Sequence, residues 1–419
     1  MSNIAIDGLS DLMLYTSERF SKSIEEDAVP VPCRHHFQHL HYQERSISAY
    51  KLFPKEEQMQ SKVFSVLSSV MMVIALLLLA ACGGSGSSST TSSTGSKNPS
   101  DIHVGFVSET SSLNFASEMA AGAQYAANQY HVSAQIVAPP NIDDEAAVKL
   151  FQDLTRTSRD GIGVETLAPN LFVRPEASAV SAGIPIIAVD TVPLPDANVT
   201  TYIGNDNLAA GAMLASAAIE RLPKGAKGSV VIGIDTPGVP VLTYRVQGIK
   251  DEFQRSRPDL QVLGPFDSKQ EPQQNFNAWN DLVKAHPNAV AYLGVGDADN
   301  PSLARIKQAN HGNYLTAAFD LNPAALQAVE NGVNYGLVDP EHFLKGYVAM
   351  RLLIEHALNG KVIPKGWWNT GALLVTQSNV KDIIARQVSL DTKGKFYQPI
   401  ADKQFVNPSA QIKPLEQAK

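Results

Sequence analysis

Three aspartates stand just past short apolar runs, where a parallel sheet presents side chains to a ligand. Asp190 follows the run 184–189, Asp297 follows 289–295 and Gly296, and Asp320 follows 314–319. Ligands of such sheets sit outside the carboxyl ends of the strands. Carboxylates there do one of two kinds of chemistry. They accept charge-assisted hydrogen bonds, about twice as strong as neutral ones, or two at a set separation hydrolyse a glycosidic bond. The sequence offers no Ser/His/Asp order and no metal cluster beside them, so binding is favoured and an enzyme is not expected. Cys33, His35, His36, His39 and His41 form a second group, of metal-holding types, with His35 and His39 on one face if helical. No further ligand group closes a tetrahedral site, so neither a metal nor a cofactor is expected.

The elements that must position these aspartates alternate from residue 102 onward. Strands are expected at 102–107, 135–137, 161–167 and 184–189, with helices at 112–130 and 143–157 and another after the third strand. After Ile203 the pattern restarts: helices at 207–221, 242–255, 274–285 and 302–309, strands at 228–233, 261–263, 289–295 and 314–319. Alternation at this spacing implies parallel sheets of βαβ units, and the restart implies two of them. The class is therefore α/β.

Ahead of this body lies an apolar run, 63–81, that ends in Leu79-Ala80-Ala81-Cys82 and is followed by a Gly/Ser/Thr tract to residue 100. The run approaches the roughly 20 apolar residues of a spanning helix. A thiol flanked by small residues is also what an alkylating and cleaving machinery requires, and the stretch resembles a bacterial lipobox. That resemblance implies a signal peptide at 59–82, lipidation of Cys82, and a tethered protein outside the cytoplasm; 83–100 is then a flexible linker. Residues 1–58 show no period, and Met59 with Lys62 supplies the short basic start of a signal, so 1–58 are expected to be a non-native or disordered extension. The net charge of −7 gives no footprint for nucleic acid. The only cysteines are Cys33 and Cys82, so a disulfide framework is not expected.

From about residue 102 to 361 the chain resembles the ribose-type periplasmic sugar-binding proteins, whose type I periplasmic-binding fold is shared with the lac-repressor core. Four landmarks carry this in order: Asn114-Phe115 with Gly122-Ala123-Gln124; Ile184-Pro185-Ile186-Ile187-Ala188-Val189-Asp190; Ile203-Gly204-Asn205-Asp206-Asn207 with Gly211; and Gly296-Asp297 with Phe319-Asp320. The resemblance implies two doubly wound parallel-sheet lobes joined by three crossovers, near 191–204, 320–322 and 338–342. The first lobe would be 101–204 with 341–369, the second 205–340 with 370–390, and 391–419 a tail without assigned role.

It also implies the site. Phe115 would stack on the apolar face of a sugar, and Asn114, Asp190, Thr191, Arg245, Asp320 and Asp339 would meet its hydroxyls. Asp297 is expected to shape its loop more than to touch ligand, Asn205 and Asp206 to cap the next helix, and Glu341 to share the late crossover with Asp339. Thr191 stands where ribose binders carry Arg, Gly296 where they carry Asn, and Ala116 where they carry a second aromatic. The pocket should therefore be roomier, and a ligand other than ribose is expected. Trp279, Trp367, Trp368 and His286 are expected to be structural. The implied function is capture of a sugar or polyol by a monomeric lipoprotein that docks on an ABC permease. A receptor signalling to a membrane kinase is the alternative, and a carbohydrate-active enzyme a lesser one. A repressor would need a helix-turn-helix where the lipobox and linker stand.

Overall fold

The structure, a computed structural model, describes residues 97–419; the expected extension, signal peptide, lipidation site Cys82, Cys33/His cluster and most of the linker lie outside the described residues. The first lobe begins with β1 (Val104–Val107), α1 (Asn114–Gln129), β2 (Ala134–Val137), α2 (Asp144–Thr157), β3 (Gly161–Glu165), α3 (Pro169–Ser181), β4 (Ile186–Val189) and β5 (Thr201–Gly204). The second continues with α4 (Asn207–Arg221), β6 (Ser229–Ile234), α5 (Pro240–Ser256), β7 (Gln261–Asp267) and α6 (Pro272–Ala285). It is completed by β8 (Ala289–Gly294), α7 (Asp299–Asn310), β9 (Leu315–Phe319), α8 (Pro323–Glu330) and β10 (Gly336–Asp339). The chain then returns with α9 (His342–Asn359) and β11 (Gly366–Asn369), goes back with β12 (Leu373–Val375) and α10 (Val380–Arg386), and ends on the first lobe with α11 (Leu390–Val406) and β13 (Ile412–Lys413).

Two sheets result, with strand orders β13-β11-β5-β4-β3-β1-β2 and β12-β10-β9-β8-β6-β7. All neighbours are parallel except the edge pairs β11/β13 and β10/β12. β1, β3, β4 and β5 are buried at every residue, as befits strands covered by helices on both faces. The chain passes between lobes at 204–207, 339–342 and 369–373, and once more at 386–390 on its way into α11. The expected crossover at 320–322 is instead the β9–α8 connection inside the second lobe, because β10 pairs parallel with β9 and so keeps the chain on the same sheet.

Each lobe seats one helix pair through reciprocal glycines. A β-carbon on Gly122 of α1 would lie 2.0 Å from the Phe343 carbonyl oxygen, and one on Gly346 of α9 would lie 1.9 Å from that of Met119. In the second lobe Gly211 of α4 and Gly248 of α5 stand in the same relation, each 2.0 Å from the oxygens of Arg245 and Leu208. Only a residue without a β-carbon lets the backbones approach so closely. These crossings fix the turns of α9 and α5 that carry Lys345 and Arg245.

Residues 391–419, without a role on sequence grounds, complete the first lobe. Tyr397 of α11 stacks on Phe343 with ring centroids 5.0 Å apart, Lys393 pairs with the buried Glu118 of α1, and β13 closes the sheet edge beside Trp367 and Trp368. The last residue is tied in as well: the Asn207 backbone N–H donates to the Lys419 carbonyl at 3.0 Å.

Candidate functional site

Asp190 and Asp320 occupy equivalent places in the two lobes. Each follows an apolar strand, donates its N–H to the next strand (to Ile203 O and Val338 O, both 2.9 Å), and then turns at a positive φ of 64° and 72°. A non-glycine residue in that region stores strain that surrounding structure must hold, a pattern typical of functional sites. The turn sends both carboxylates out of the sheet and toward the first turn of α9.

Between them lie two residues of the first turn of α9 that sequence reasoning passed over. The Lys345 ammonium, fully buried, donates to Asp190 and reaches His342 Nδ1 at 3.3 Å. His342 Nε2 donates to Asp320 Oδ1 at 2.8 Å, so one imidazole bridges the lobes. Arg245 completes the cluster from α5: Nη1 stands 3.9 Å from Asp320 and donates to Val295 O at 2.9 Å, while Nε donates to Asn207 Oδ1 at 3.1 Å. Its guanidinium lies over the Phe319 ring at 4.4 Å. The Phe115 ring sits 6.1 Å from the His342 ring. Phe115, Asp190, Arg245 and Asp320 are thus brought together, and Arg245 is buried.

Around this cluster the cleft is rich in acceptors. Asp297 accepts the Asn114 N–H across the lobes at 3.2 Å, so it does more than shape its loop. Loop shaping falls to Asp299, which accepts from Gly296 N, Ser268 Oγ, Asn275 Nδ2 and Trp279 Nε1 at 2.7–3.0 Å. Glu109, just past β1, accepts from Thr166 Oγ1 and Leu167 N, and Glu165, closing β3, accepts from Glu109 N. Asp235, closing β6, packs against Gly296 and faces the Gln270 amide. Two cavities of about 490 and 510 Å³ open between the lobes here. Asn114 and Asp297 line the first, and Asp144, Leu167 and Asp235 the second.

Thr191 is buried with its hydroxyl unpartnered. Asp339 is placed differently from expectation: its carboxylate is taken up by Arg386 and, at 3.2 Å, by the Tyr397 hydroxyl, with Glu341 N on its other oxygen. It is held between Arg386 of α10 and Tyr397 of the tail, at the passage between the lobes near 339–342. Asp206 caps α4 through Ala209 N, whereas Asn205 donates to Asn207 Oδ1. Trp279, Trp367 and Trp368 are buried packing residues, and His286 lies against the Phe266 ring at a tilt, centroids 5.4 Å apart. Among the described residues, no group of three or more His, Cys, Asp or Glu is placed to hold a metal ion.

Burial and mutual repulsion set the protonation of the cleft. Burial alone would raise Asp190, but Lys345, His342 and Arg245 more than offset it and hold Asp190 well below the ordinary carboxylate range. Burial pulls Lys345 down against the opposing field of Asp190. Burial, then Asp144, pushes Glu109 up to about 7; burial, then Asp320, pushes Asp297 up to about 7. Burial raises Glu165 and Asp235 well above the usual range, with Asp299, Asp320 and Asp297 adding to the rise at Asp235. A carboxyl whose folded value is raised stabilises the fold below its unfolded value and loses that contribution as pH rises through the folded one. Raising the pH of the empty protein from 5 to 8 is therefore expected to lower its stability, read as a fall in Tm by scanning calorimetry. The paired Asp190 does not contribute in that window.

Residues 104–361 match the family model described as periplasmic binding protein domain. The chain is 26% identical over 268 residues to the D-allose-binding periplasmic protein of Escherichia coli, covering 62% of this chain and 85% of that one. It is 22% identical over 239 residues to a xylose/arabinose-binding protein of Sulfolobus acidocaldarius, a match spanning 53% of this chain and little more than half, 58%, of the relative. A solute-binding protein of an ABC transporter from Burkholderia graminis, solved in complex with D-arabinose, superposes with a TM-score of 0.62 at 25% identity over 68% of this chain and 98% of that one. Among the described residues no helix is long and apolar enough to cross a membrane. With a family match over more than half its length, and two parallel sheets whose strand ends meet at one buried ion cluster, the chain belongs to the periplasmic binding protein domain family.

Proposed function

We propose that the protein captures a sugar or a sugar-like polar solute between its lobes and hands it to an ABC permease. The observation that carries this reading is the convergence of Phe115 and Asp190 from one lobe with Arg245 and Asp320 from the other. A polyol offers hydroxyls to the charged groups and a CH face to the ring. A ligand touching both lobes favours the closed arrangement over the open one, and only such a difference shifts the equilibrium. Hinge motion would be taken up at 204–207, 339–342 and 369–373. The protein is extracytoplasmic in this reading, acts as a monomer, and is held at the membrane by lipid on Cys82, a proposal that rests on the sequence around that residue.

The test is a thermal-shift panel of pentoses, hexoses, polyols and quorum-signal furanosides. A true ligand at a hundredfold excess over its Kd stabilises by about 2.7 kcal/mol, a rise of several degrees. It is recovered unchanged, whereas a hydrolase would consume a glycoside. A panel without any shift, on protein that melts cooperatively, contradicts the proposal.

A further inference from the structure

Phe115, Asp190, Arg245 and Asp320 converge on one another and on a side chain of the protein itself. Asp190, Arg245 and Asp320 are 4%, 2% and 2% exposed, and none of the four residues lines either of the two cavities. The space between the two aspartates holds the imidazole of His342, itself buried. Its Nε2 donates to Asp320 Oδ1 at 2.8 Å, and its Nδ1 stands 3.9 Å from Asp190 Oδ1. Its ring centroid lies 6.1 Å from that of Phe115. One side chain therefore meets an aspartate of each lobe and the aromatic ring, the same set of contacts the proposed solute makes.

The hydrogen bonding of that ring imitates a hydroxyl. The Lys345 ammonium has only donors, so the 3.3 Å contact makes Nδ1 an acceptor and leaves the hydrogen on Nε2, aimed at Asp320. A sugar hydroxyl does the same, accepting from one partner and donating to the next. The ring is also mounted where the chain can turn. His342 opens α9 directly after Glu341, which sits at a φ of 60° within the passage at 339–342. Asp320 follows β9 of the second sheet, so hinge opening draws it away from the ring. Two groups cannot fill one volume: a solute that reaches Asp190, Asp320 and Phe115 together has to displace the imidazole.

We infer, resting on the reading of the cleft as a solute site, that His342 is a tethered occupant of that site: it stands in the solute's place in the empty protein and bridges the lobes until a solute displaces it. Solute binds only the fraction of molecules whose ring has swung out, so the measured affinity is lower than that of the vacated site by this fraction. The contact surrendered is one hydrogen bond to a charged carboxylate, which sets the factor at about tenfold to a hundredfold. A solute without a donor for Asp320 has nothing to offset the lost bond, so the occupant also selects for solutes that carry one there.

Titration calorimetry of the solute panel on the full chain, wild type against His342→Ala, tests this. The variant vacates the site, and it is expected to bind the panel's tightest solute about tenfold to a hundredfold more tightly than the wild type does. Hydrogen exchange gives a second readout that needs no solute. The amides at 189–192 and 319–322 should exchange faster in the empty variant than in the empty wild type, and solute should return them to wild-type protection. Should His342→Ala fold poorly, His342→Asn replaces it, its amide being too short to reach Asp320. If a solute binds both proteins but the variant no more tightly, or if the two empty proteins exchange alike, the occupant is overturned and the sugar reading stands. If no member of the panel binds either protein, both are overturned.

Discussion

Lys345→Met is expected to cost about 3–5 kcal/mol of stability, because it leaves the Asp190 carboxylate buried without its counter-ion. Asp190 is held ionised by its neighbours, and Lys345 makes the shortest contact among them. His342 loses its contact to the ammonium in the same step, which loosens the bridge to Asp320. The double variant Asp190→Asn with Lys345→Met removes both charges, and most of the loss should be regained. Urea unfolding of the two single variants and the double variant measures the coupling. If the single and double variants lose equally, Lys345 acts by packing and the ion cluster is not a unit.

Gly346→Val should be about as damaging, at 3 kcal/mol or more. Its β-carbon would sit 1.9 Å from the Met119 carbonyl oxygen, a backbone atom that no rotamer change can move. α1 and α9 must part, and Lys345, the preceding residue, is drawn away from Asp190. By contrast Gly183→Ala meets open space and carries only the strain of its φ of 79°, about 1 kcal/mol. The two midpoints in urea, compared on one protein, separate close approach from backbone strain. Equal losses would mean that the glycine contacts do not set the helix spacing.

Much of the scaffold was legible because apolar runs and helical periods are local. The helix expected at 207–221 appears as α4 over those residues, and Asp190 and Asp320 were found from the strands they follow. The same strand-end rule, applied evenly, would also have reached Glu109, Glu165 and Asp235, which stand at the ends of β1, β3 and β6. They were passed over because a carboxylate at a strand end is ordinarily solvated, and whether it is buried depends on what the other lobe covers. His342 and Lys345 were hidden for a different reason. α9 is buried on nearly every face, so its sequence has no polar stripe from which a buried Lys would stand out.

The tail was illegible through its own composition. Pro399 and Gly394 lie inside α11 and argue against a helix. The helix forms because Ser389 and Thr392 make a capping box and because its packing lies elsewhere in the chain. A β-carbon on Gly394 would stand 2.0 Å from the Tyr125 ring, and Tyr397 stacks on Phe343. Asp339 was misplaced in part by the same omission, since one of its partners, Tyr397, comes from the tail that carried no expected role.

The proposed function requires one small solute to be gripped by both lobes at once. Titration calorimetry of the panel's tightest ligand against the wild type, Phe115→Ala and Asp320→Asn tests it most directly, since these residues come from opposite lobes. Each variant should bind the same ligand at one-to-one stoichiometry but at least about tenfold more weakly, the loss of one good contact. Undiminished affinity in either variant, with the fold intact, would place the ligand on one lobe alone and contradict the account.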